Sequence, residues 1–252
     1  MTLSSQSPRL KRLRRLVSDR RFRDSEHQAV IEGPRAITTA TEIGADLQDI
    51  FYCSDQLSIA EGFEGSDVSC FEVEKEVLDR VADSGSPQGI LAVVTIKEAD
   101  VDSLAQCRRV VVIDAVQDPG NLGAIARTAV AAGFDAIATS KGTADLWSSK
   151  AIRASAGTSF ALQSLRNFDL VSGLDALREA GHFVVATDSK GDTELDALPL
   201  SEHMALVMGS EAHGLSEVVA SRADAFVSVP MGPFVESLNV AVAAGLIMYR
   251  MR

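Results

Sequence analysis

Apolar runs alternate with amphipathic stretches along most of this chain, and they form two successive patterns. In the first, short and closely spaced runs predict strands at 28–31, 47–53, 69–71 and 90–96, with helices at 34–40 and 73–82. In the second, longer runs predict strands at 110–113, 135–139, 160–165, 183–187, 205–208 and 225–229, with helices at 122–132, 146–156, 170–180 and 240–248. Strands that alternate with helices favour a mostly parallel sheet, so the predicted fold class is α/β.

The two patterns and the residues around them predict four segments. We expect a basic N-terminal arm at 1–23, a small α/β domain at 24–97, a polar linker at 98–107 and a larger α/β domain at 108–252. In the arm, Leu10, Leu13 and Leu16 have the spacing of an amphipathic helix that packs against the rest of the protein. The arginines between them would then face outward, where they could meet solvent, an anionic partner or both.

The charge of the chain is unevenly distributed. The whole chain has 24 basic and 35 acidic residues, a net charge of −11. Residues 9–23 contain eight of the basic residues and one of the acidic ones, which leaves a net charge of −18 for the rest. A basic arm on an acidic protein permits local contact with an anion, and it argues against a surface covered by nucleic-acid-binding charge.

Composition excludes several classes of protein. Hydrophobic residues make up 46% of the chain, which is ample for a packed core and argues against disorder. No apolar run approaches the roughly 18 residues of a membrane span, and the basic N-terminus lacks the apolar region of a secretory signal. The three widely spaced cysteines form neither a disulfide framework nor a metal motif. We therefore expect a cytoplasmic protein without a metal or a membrane partner.

The first stretch that could carry chemistry is DPGNLGAIARTA, residues 118–129. Gly120 and Gly123 resemble half of a dinucleotide-binding fingerprint, but Arg127 replaces its third glycine, which argues against such a site. A guanidinium in this apolar helix could bind a phosphate or a carboxylate. Taken alone, the position favours an arginine that reaches solvent or pairs with an acid.

Two further stretches follow the last two predicted strands, and each joins a strand to a helix through a loop of small and polar residues. They are GSEAHGLS, residues 209–216, and VPMGPFVESLN, residues 229–239. In the first, Glu211 could cap the next helix; in the second, Ser237 is a plausible N-cap and Asn239 is an unfavourable residue inside a helix. Loops of this kind expose backbone N–H groups at the carboxyl edge of a sheet, so the two stretches predict two walls of one pocket.

Taken together, the three stretches resemble, in their order and spacing, the SpoU (TrmH-type) family of RNA ribose methyltransferases within the SPOUT class. Asn121 and Arg127 match the first family motif, and the second matches at Gly209, Glu211, Gly214 and Leu215. The third matches at Pro230, Met231, Ser237, Leu238 and Asn239, although Pro233 stands where members often carry glycine. This resemblance covers roughly residues 108–252, and residues 24–97 are similar to the RNA substrate-binding domain often joined to it.

The resemblance implies a fold, a reaction and a set of site residues. It implies a C-terminal trefoil knot of the SPOUT type, S-adenosylmethionine as cofactor, and a homodimer whose active site lies at the interface. The implied catalytic residues are Arg127, Asn121, Glu211, Ser237 and Asn239, and the implied cofactor-binding residues are Thr187, Gly209, Val229, Met231 and Leu238. The expected reaction is 2′-O-methylation of RNA, ribosomal RNA before transfer RNA. A non-catalytic RNA-binding or ribosome-assembly factor on the same fold is the alternative.

Overall fold

The structure, a computed structural model, describes residues 2–188, 191–209 and 214–252. These residues fold into two compact units. The first unit comprises Met1–Lys97 together with Asp145–Ala161, and the second comprises Glu98–Ala144 together with Leu162–Arg252. A segment from the middle of the chain therefore belongs to the N-terminal unit, which sequence patterns do not predict.

The helices and strands, numbered in chain order, have the following bounds. They are β1 (Thr2–Leu3), α1 (Pro8–Ser18), α2 (Arg20–Glu26), β2 (Gln28–Glu32), α3 (Pro34–Glu42), β3 (Leu47–Tyr52), α4 (Leu57–Glu61), β4 (Ser69–Val73), α5 (Lys75–Asp79), β5 (Ile90–Thr95), α6 (Val101–Ala105), β6 (Arg109–Ile113), α7 (Pro119–Ala131), β7 (Ala136–Ser140), α8 (Ser149–Ser155), β8 (Gln163–Phe168), α9 (Leu170–Glu179), β9 (Phe183–Thr187), β10 (Thr193–Glu194), β11 (Met204–Met208), α10 (Glu217–Ala220), β12 (Ala225–Ser228) and α11 (Val240–Arg250).

The first unit is built on a mixed five-stranded sheet in the order β1-β4-β3-β5-β2. Strand β4 is parallel to β1 and β3, whereas β5 is antiparallel to β3 and β2. Helix α1 packs on this sheet through Leu10, Leu13 and Leu16, which are all buried as their spacing predicts. Val73, predicted to begin a helix, instead ends β4, because it is buried in the same core and pairs with Leu3.

The segment Asp145–Ala161 completes the first unit through two ion pairs. The Asp145 carboxylate accepts a hydrogen bond from the buried Arg23 guanidinium at 2.6 Å. Arg153 of α8 lies 3.2 Å from the buried carboxylate of Glu32 in β2. Because both partners of the segment neutralise buried charges, the segment is part of this unit's folded structure rather than a loop on its surface.

The second unit is built on a seven-stranded sheet in the order β10-β12-β9-β11-β6-β7-β8, and all of its pairs are parallel. The α/β class with a mostly parallel sheet is therefore confirmed. The central strands β6, β7 and β11 are almost entirely buried, which explains why Val, Ile, Leu, Ala and Met dominate them. The predicted polar linker contains α6 and belongs to this unit, where Leu104 is buried.

Within the described residues, no helix is long and apolar enough to cross a membrane.

Candidate active site

The carboxyl ends of four neighbouring strands lie at one edge of the second unit's sheet. Strands β12, β9, β11 and β6 are adjacent and parallel, so the loops that follow them leave the sheet on the same side. All three motif stretches begin at these strand ends: one follows β6, one follows β11 and one follows β12. In parallel α/β sheets, this edge is where ligands bind.

A cavity of about 240 Å³ lies at this edge. Its walls include all five residues that the family resemblance assigns to cofactor binding, namely Thr187, Gly209, Val229, Met231 and Leu238. Ser237, predicted to be catalytic, also lines the cavity. Residues separated by more than 40 positions in the chain thus meet around one space, because the parallel strands bring their loops together.

Gly209 is required where it stands because the backbone approaches it closely. A Cβ atom at this position would lie 2.5 Å from the carbonyl oxygen of Gly214, well inside the sum of the van der Waals radii. Gly214 itself has a φ of 63°, in the left-handed region that glycine adopts without strain. The two glycines of the second motif therefore allow the backbone at Gly214 to lie directly against the end of β11.

Asn121 and Asn239 hydrogen-bond to each other at the first turns of α7 and α11. The Asn239 Nδ2 donates to the Asn121 Oδ1 at 2.9 Å. The Asn239 Oδ1 accepts from the backbone N–H of Ala241 at 2.9 Å, so this residue is the N-cap of α11. The cap is therefore Asn239 rather than Ser237, and Asn239 does not lie inside the helix: the helix begins only where the apolar run begins, at Val240.

Arg127 occupies an exposed position on α7, outside the wall of this cavity. Across residues 2–188, 191–209 and 214–252 it has no hydrogen bond and no ion pair. The first-motif arginine thus presents an unneutralised guanidinium to the surroundings of α7. Glu211, the remaining predicted catalytic residue, lies outside the described residues.

Two carboxylates that sequence reasoning did not assign also line the cavity. Asp188 directly follows β9, and Glu236 directly precedes Ser237 in the third motif. Their positions next to a strand end and next to a motif are the signals that could have identified them. The other walls are mostly apolar, and they include Met208, Leu215 and Ile247.

Helix α11 carries an exposed apolar face beside the cavity. Val242, Leu246 and Tyr249 are 52%, 44% and 53% exposed, although the opposite side of the same helix is buried. Their spacing of four and three residues places them on one face, which we call the α11 outer face. Phe234, in the third-motif loop, is 97% exposed.

No group of three or more potential metal ligands occurs among the residues that the structure describes.

Family models match both parts of the chain. The model for the SpoU rRNA Methylase family matches residues 108–249. A model named MRM3-like substrate binding domain matches residues 7–92. The two matched regions therefore account for most of the chain.

Individual relatives support the same grouping. The chain is 34% identical, over 88% of its length and 88% of the relative's, to the 23S rRNA (guanosine(2553)-2'-O)-methyltransferase RlmP of Bacillus subtilis. It is similar, with a TM-score of 0.86 and 26% identity, to the SpoU methyltransferase AviRb from Streptomyces viridochromogenes in complex with AdoMet, covering 98% of this chain and 97% of that one. A structure concerned with 2-OH methylation of C/U34 on tRNA matches with 30% identity and a TM-score of 0.51, over 57% of this chain and 93% of that one.

Proposed function

Because this chain belongs to the SpoU rRNA methylase family, we infer that it is an S-adenosylmethionine-dependent enzyme that methylates a ribose 2′-hydroxyl of ribosomal RNA. The observation that carries this conclusion is the cavity at the carboxyl edge of the parallel sheet, where the second and third motifs meet. The named activity of the Bacillus subtilis relative, which aligns with 88% of the chain, supports the same reaction and the same class of RNA.

The residues of the cavity fit S-adenosylmethionine. Met231, Leu238 and Val229 offer an apolar surface for a purine ring. Asp188 and Glu236 place carboxylates where they can accept hydrogen bonds from ribose hydroxyls or neutralise a positive charge. A cofactor that combines an aromatic base, a ribose and a sulfonium cation matches this mixture of walls.

We propose that the chain's own residues position the RNA and stabilise its charge. The bound cofactor supplies an electrophilic methyl group. Arg127 would bind the phosphate next to the target ribose, because a guanidinium is too weak a base to remove a proton in its ordinary environment. The hydrogen-bonded Asn121 and Asn239 would orient the 2′-hydroxyl, with Ser237 at the cavity wall and Glu211 as a further polar group. In-line placement of the oxygen and the methyl group would then supply much of the rate enhancement, with the hydroxyl proton released to water as the oxygen takes the methyl group from the sulfonium.

We propose further that the enzyme works as a homodimer that pairs through the α11 outer face. An exposed stripe of Val242, Leu246 and Tyr249 is typical of a surface that another protein covers. Arg127 lies on α7, which packs against α11, yet it does not line the cavity of its own chain. A second copy that docks on these helices would allow the guanidinium of one chain to serve the cavity of the other.

The remaining expectations from the family are also proposals. A trefoil knot in the second unit is supported by the strand order, since β12 pairs with β9 and α11 then returns to pack against α7 and β11. Because ribosomal RNA is the inferred substrate, the enzyme would work in the cytoplasm.

Ribosomal RNA is favoured over transfer RNA by the extent of the similarities. The relative named for tRNA methylation aligns with 57% of the chain, whereas the rRNA methyltransferase relative aligns with 88%. The difference matters because the first unit, which matches a substrate-binding domain, is where recognition of an RNA would be specified.

The proposal is tested by binding and methyl transfer measured separately. Calorimetry should show S-adenosylmethionine binding with one site per chain, and radiolabelled methyl groups should enter protein-free 23S ribosomal RNA in preference to bulk transfer RNA. Nuclease digestion of the product should yield a 2′-O-methylated nucleotide. Absence of cofactor binding would instead favour the non-catalytic RNA-binding factor, and preferential labelling of transfer RNA would contradict the inferred substrate.

A further inference from the structure

The basic residues of α1 and α2 fall into two groups that sequence alone does not separate. The first group consists of arginines that form ion pairs within the first unit. The pairs are Arg9 with Asp49 at 3.6 Å, Arg12 with Glu26 at 2.7 Å, Arg20 with Asp24 at 3.9 Å and Arg23 with Asp145 at 2.6 Å. The pairs of Arg9, Arg12 and Arg23 hold the two helices to each other and to the rest of the unit, whereas the pair of Arg20 lies within α2.

The second group consists of Lys11, Arg14, Arg15 and Arg21, which are all exposed. None of them forms an ion pair with any residue in the described parts of the chain. The three on α1 lie at positions i, i+3 and i+4, so they share one side of the helix. The centre of that side is nearly opposite to the buried Leu10, Leu13 and Leu16.

This arrangement is costly for a helix that only packs. Lys11 and Arg15 are like charges four residues apart, which destabilises a helix by a few tenths of a kcal/mol. The chain is otherwise acidic, so carboxylates to neutralise these cations are abundant in its composition. The exposed side of α1 nevertheless remains uniformly basic.

Arg15 is also held in place without losing its charge. Its guanidinium lies 3.8 Å from the centroid of the Phe22 ring of α2. A cation–π contact of this kind restrains the side chain while its N–H groups stay available for an acceptor. A restrained arginine loses less conformational entropy when it binds an anion than a freely rotating one does.

We propose that Lys11, Arg14, Arg15 and Arg21 form a surface that binds the phosphate backbone of the RNA substrate. This inference rests on the proposed function for the identity of the anion. Three of them lie on α1 and Arg21 lies at the start of α2, and we call the four together the α1 basic face. It contacts phosphates and therefore contributes affinity and orientation rather than sequence specificity. The paired arginines of the first group hold the helices in position and do not contact RNA.

The salt dependence of RNA binding tests this assignment. A variant with Lys11→Gln, Arg14→Gln, Arg15→Gln and Arg21→Gln keeps good helix formers at all four positions. Binding to a 20-nucleotide polyuridylate strand and to protein-free 23S ribosomal RNA is measured between 0.05 and about 0.5 M salt. Each lost phosphate contact lowers the slope of log K against log salt by about 0.7, so the variant should lose nearly three units of slope. Its affinity should fall at least tenfold at about 0.1 M salt, and the difference from the wild type should narrow as the salt rises to about 0.5 M.

A control variant removes the same number of exposed positive charges elsewhere. It carries Arg80→Gln, Lys97→Gln, Arg108→Gln and Arg252→Gln, and it should retain the wild-type slope to within about 0.7, the change expected for a single phosphate contact. Equal slopes in the α1 variant and the wild type would overturn the proposal and would favour an acidic protein as the partner of this face. Equal losses in both variants would overturn it too, because general charge would then explain the binding.

The same proteins separate this inference from the proposed function. Circular dichroism and calorimetry with S-adenosylmethionine should show that the α1 variant folds and binds cofactor as the wild type does. If the four substitutions lower the slope by three units but the wild type methylates no RNA, the proposed function is contradicted and the α1 basic face is supported. If the wild type methylates ribosomal RNA but the four substitutions leave the slope unchanged, the proposed function is supported and the α1 basic face is contradicted.

Discussion

At the scale of single residues, Asn239 both caps α11 and contacts α7, whereas the sequence predicts Ser237 as the cap. Its side-chain Oδ1 caps α11, and its side-chain Nδ2 donates a hydrogen bond to Asn121 of α7. Asn239→Ala should therefore lower the free energy of unfolding by about 1 kcal/mol through the lost cap, measured by urea denaturation. Asn239→Asp keeps a capping oxygen but no donor, so it should unfold like the wild type and still lose methyl transfer. Full activity in the Asp variant would show that the contact with Asn121 is dispensable.

Arg127 is exposed on α7 in the structure, whereas the proposed reaction needs its guanidinium beside the phosphate next to the target ribose. An exposed guanidinium without a partner among the described residues contributes little to stability, so Arg127→Ala should melt at the wild-type temperature. We expect methyl transfer to fall by at least about a hundredfold, a loss of roughly 3 kcal/mol of transition-state stabilisation. Calorimetric affinity for S-adenosylmethionine should remain within a fewfold of the wild type.

Arg127→Lys is the informative companion because it keeps the charge and removes the bidentate geometry. Full activity in this variant would indicate that charge alone is sufficient, and partial activity would indicate that the bidentate geometry also contributes. Unimpaired activity of Arg127→Ala would contradict the catalytic assignment.

His182 makes the stability of the second unit depend on pH. It is buried, its ring nitrogens lie 3.0 Å from the Leu177 carbonyl oxygen and 2.9 Å from that of Cys107, and burial lowers its pKa below the ordinary 6.5. The unfolded chain therefore binds a proton at a higher pH than the folded chain does. Stability is fully present above about pH 6.5 and falls as the pH drops from there toward the folded-state pKa, by at most about 1.4 kcal/mol per pH unit.

The measurement is the free energy of unfolding between about pH 7.5 and 5, compared for three proteins. His182→Asn should flatten the profile, even though it lowers stability at every pH. His27→Asn, at an exposed position where asparagine tolerates the left-handed backbone, should leave the slope unchanged. A wild-type slope retained in His182→Asn would show that other groups cause the acid sensitivity.

At the scale of elements, α11 contributes its buried side to the cavity and its outer face to the proposed dimer. Leu246→Glu introduces a charge at the centre of that face and should convert a dimer into a monomer, measured by light scattering after gel filtration. Methyl transfer should fall with it, because the proposed active site needs a second chain. Val171→Glu is a matched control, since Val171 is also 44% exposed and lies in the first turn of α9. A Leu246→Glu protein that remains dimeric would place the interface elsewhere.

The local pattern of apolar residues predicts a strand well where the strand is buried. It predicts a strand poorly where the strand exists only because it pairs with a neighbouring strand. Strand β9 has the predicted bounds, because a strand covered on both sides is apolar along its whole length. The two-residue strands β1 and β10 have no such pattern, since each exists only because a neighbouring strand offers it hydrogen bonds. The apolar spacing around Val73 predicts a helix, but pairing with β1 places this residue in a strand.

In the candidate site, too, the sequence predicts some features and misses those that depend on contacts between distant residues. The motifs predicted which loops meet, because their order along a parallel sheet places them at one edge. Only the family resemblance predicts a catalytic role for Arg127, because the sequence around an exposed helical arginine does not distinguish a catalytic residue from a solvated one. The contact between Asn121 and Asn239 joins positions 118 residues apart, and no local rule reaches that far.

At the scale of the whole molecule, the first unit is completed by residues that follow it by almost fifty positions. Arg23 is buried within α2, where it donates hydrogen bonds to the Leu16 and Val17 carbonyl oxygens, and Asp145 neutralises its charge. Glu32 in β2 accepts a hydrogen bond from Ser84 but needs Arg153 for charge neutralisation. A contiguous N-terminal domain, as sequence patterns predict, would lack both partners.

The fragment 1–97 should therefore fail to fold alone. Removing one partner from a buried ion pair costs roughly 3–5 kcal/mol, and two such losses approach the whole stability of a small domain, about 5–15 kcal/mol. Thermal unfolding followed by circular dichroism should show no cooperative transition for 1–97. A fusion of 1–97 to residues 145–161 through a flexible linker should restore one, and the same fusion with Asp145→Ala and Arg153→Ala should lose it again. A cooperative transition in the unfused fragment would show instead that water and local rearrangement satisfy Arg23 and Glu32, and that the inserted segment merely rests on a domain already complete.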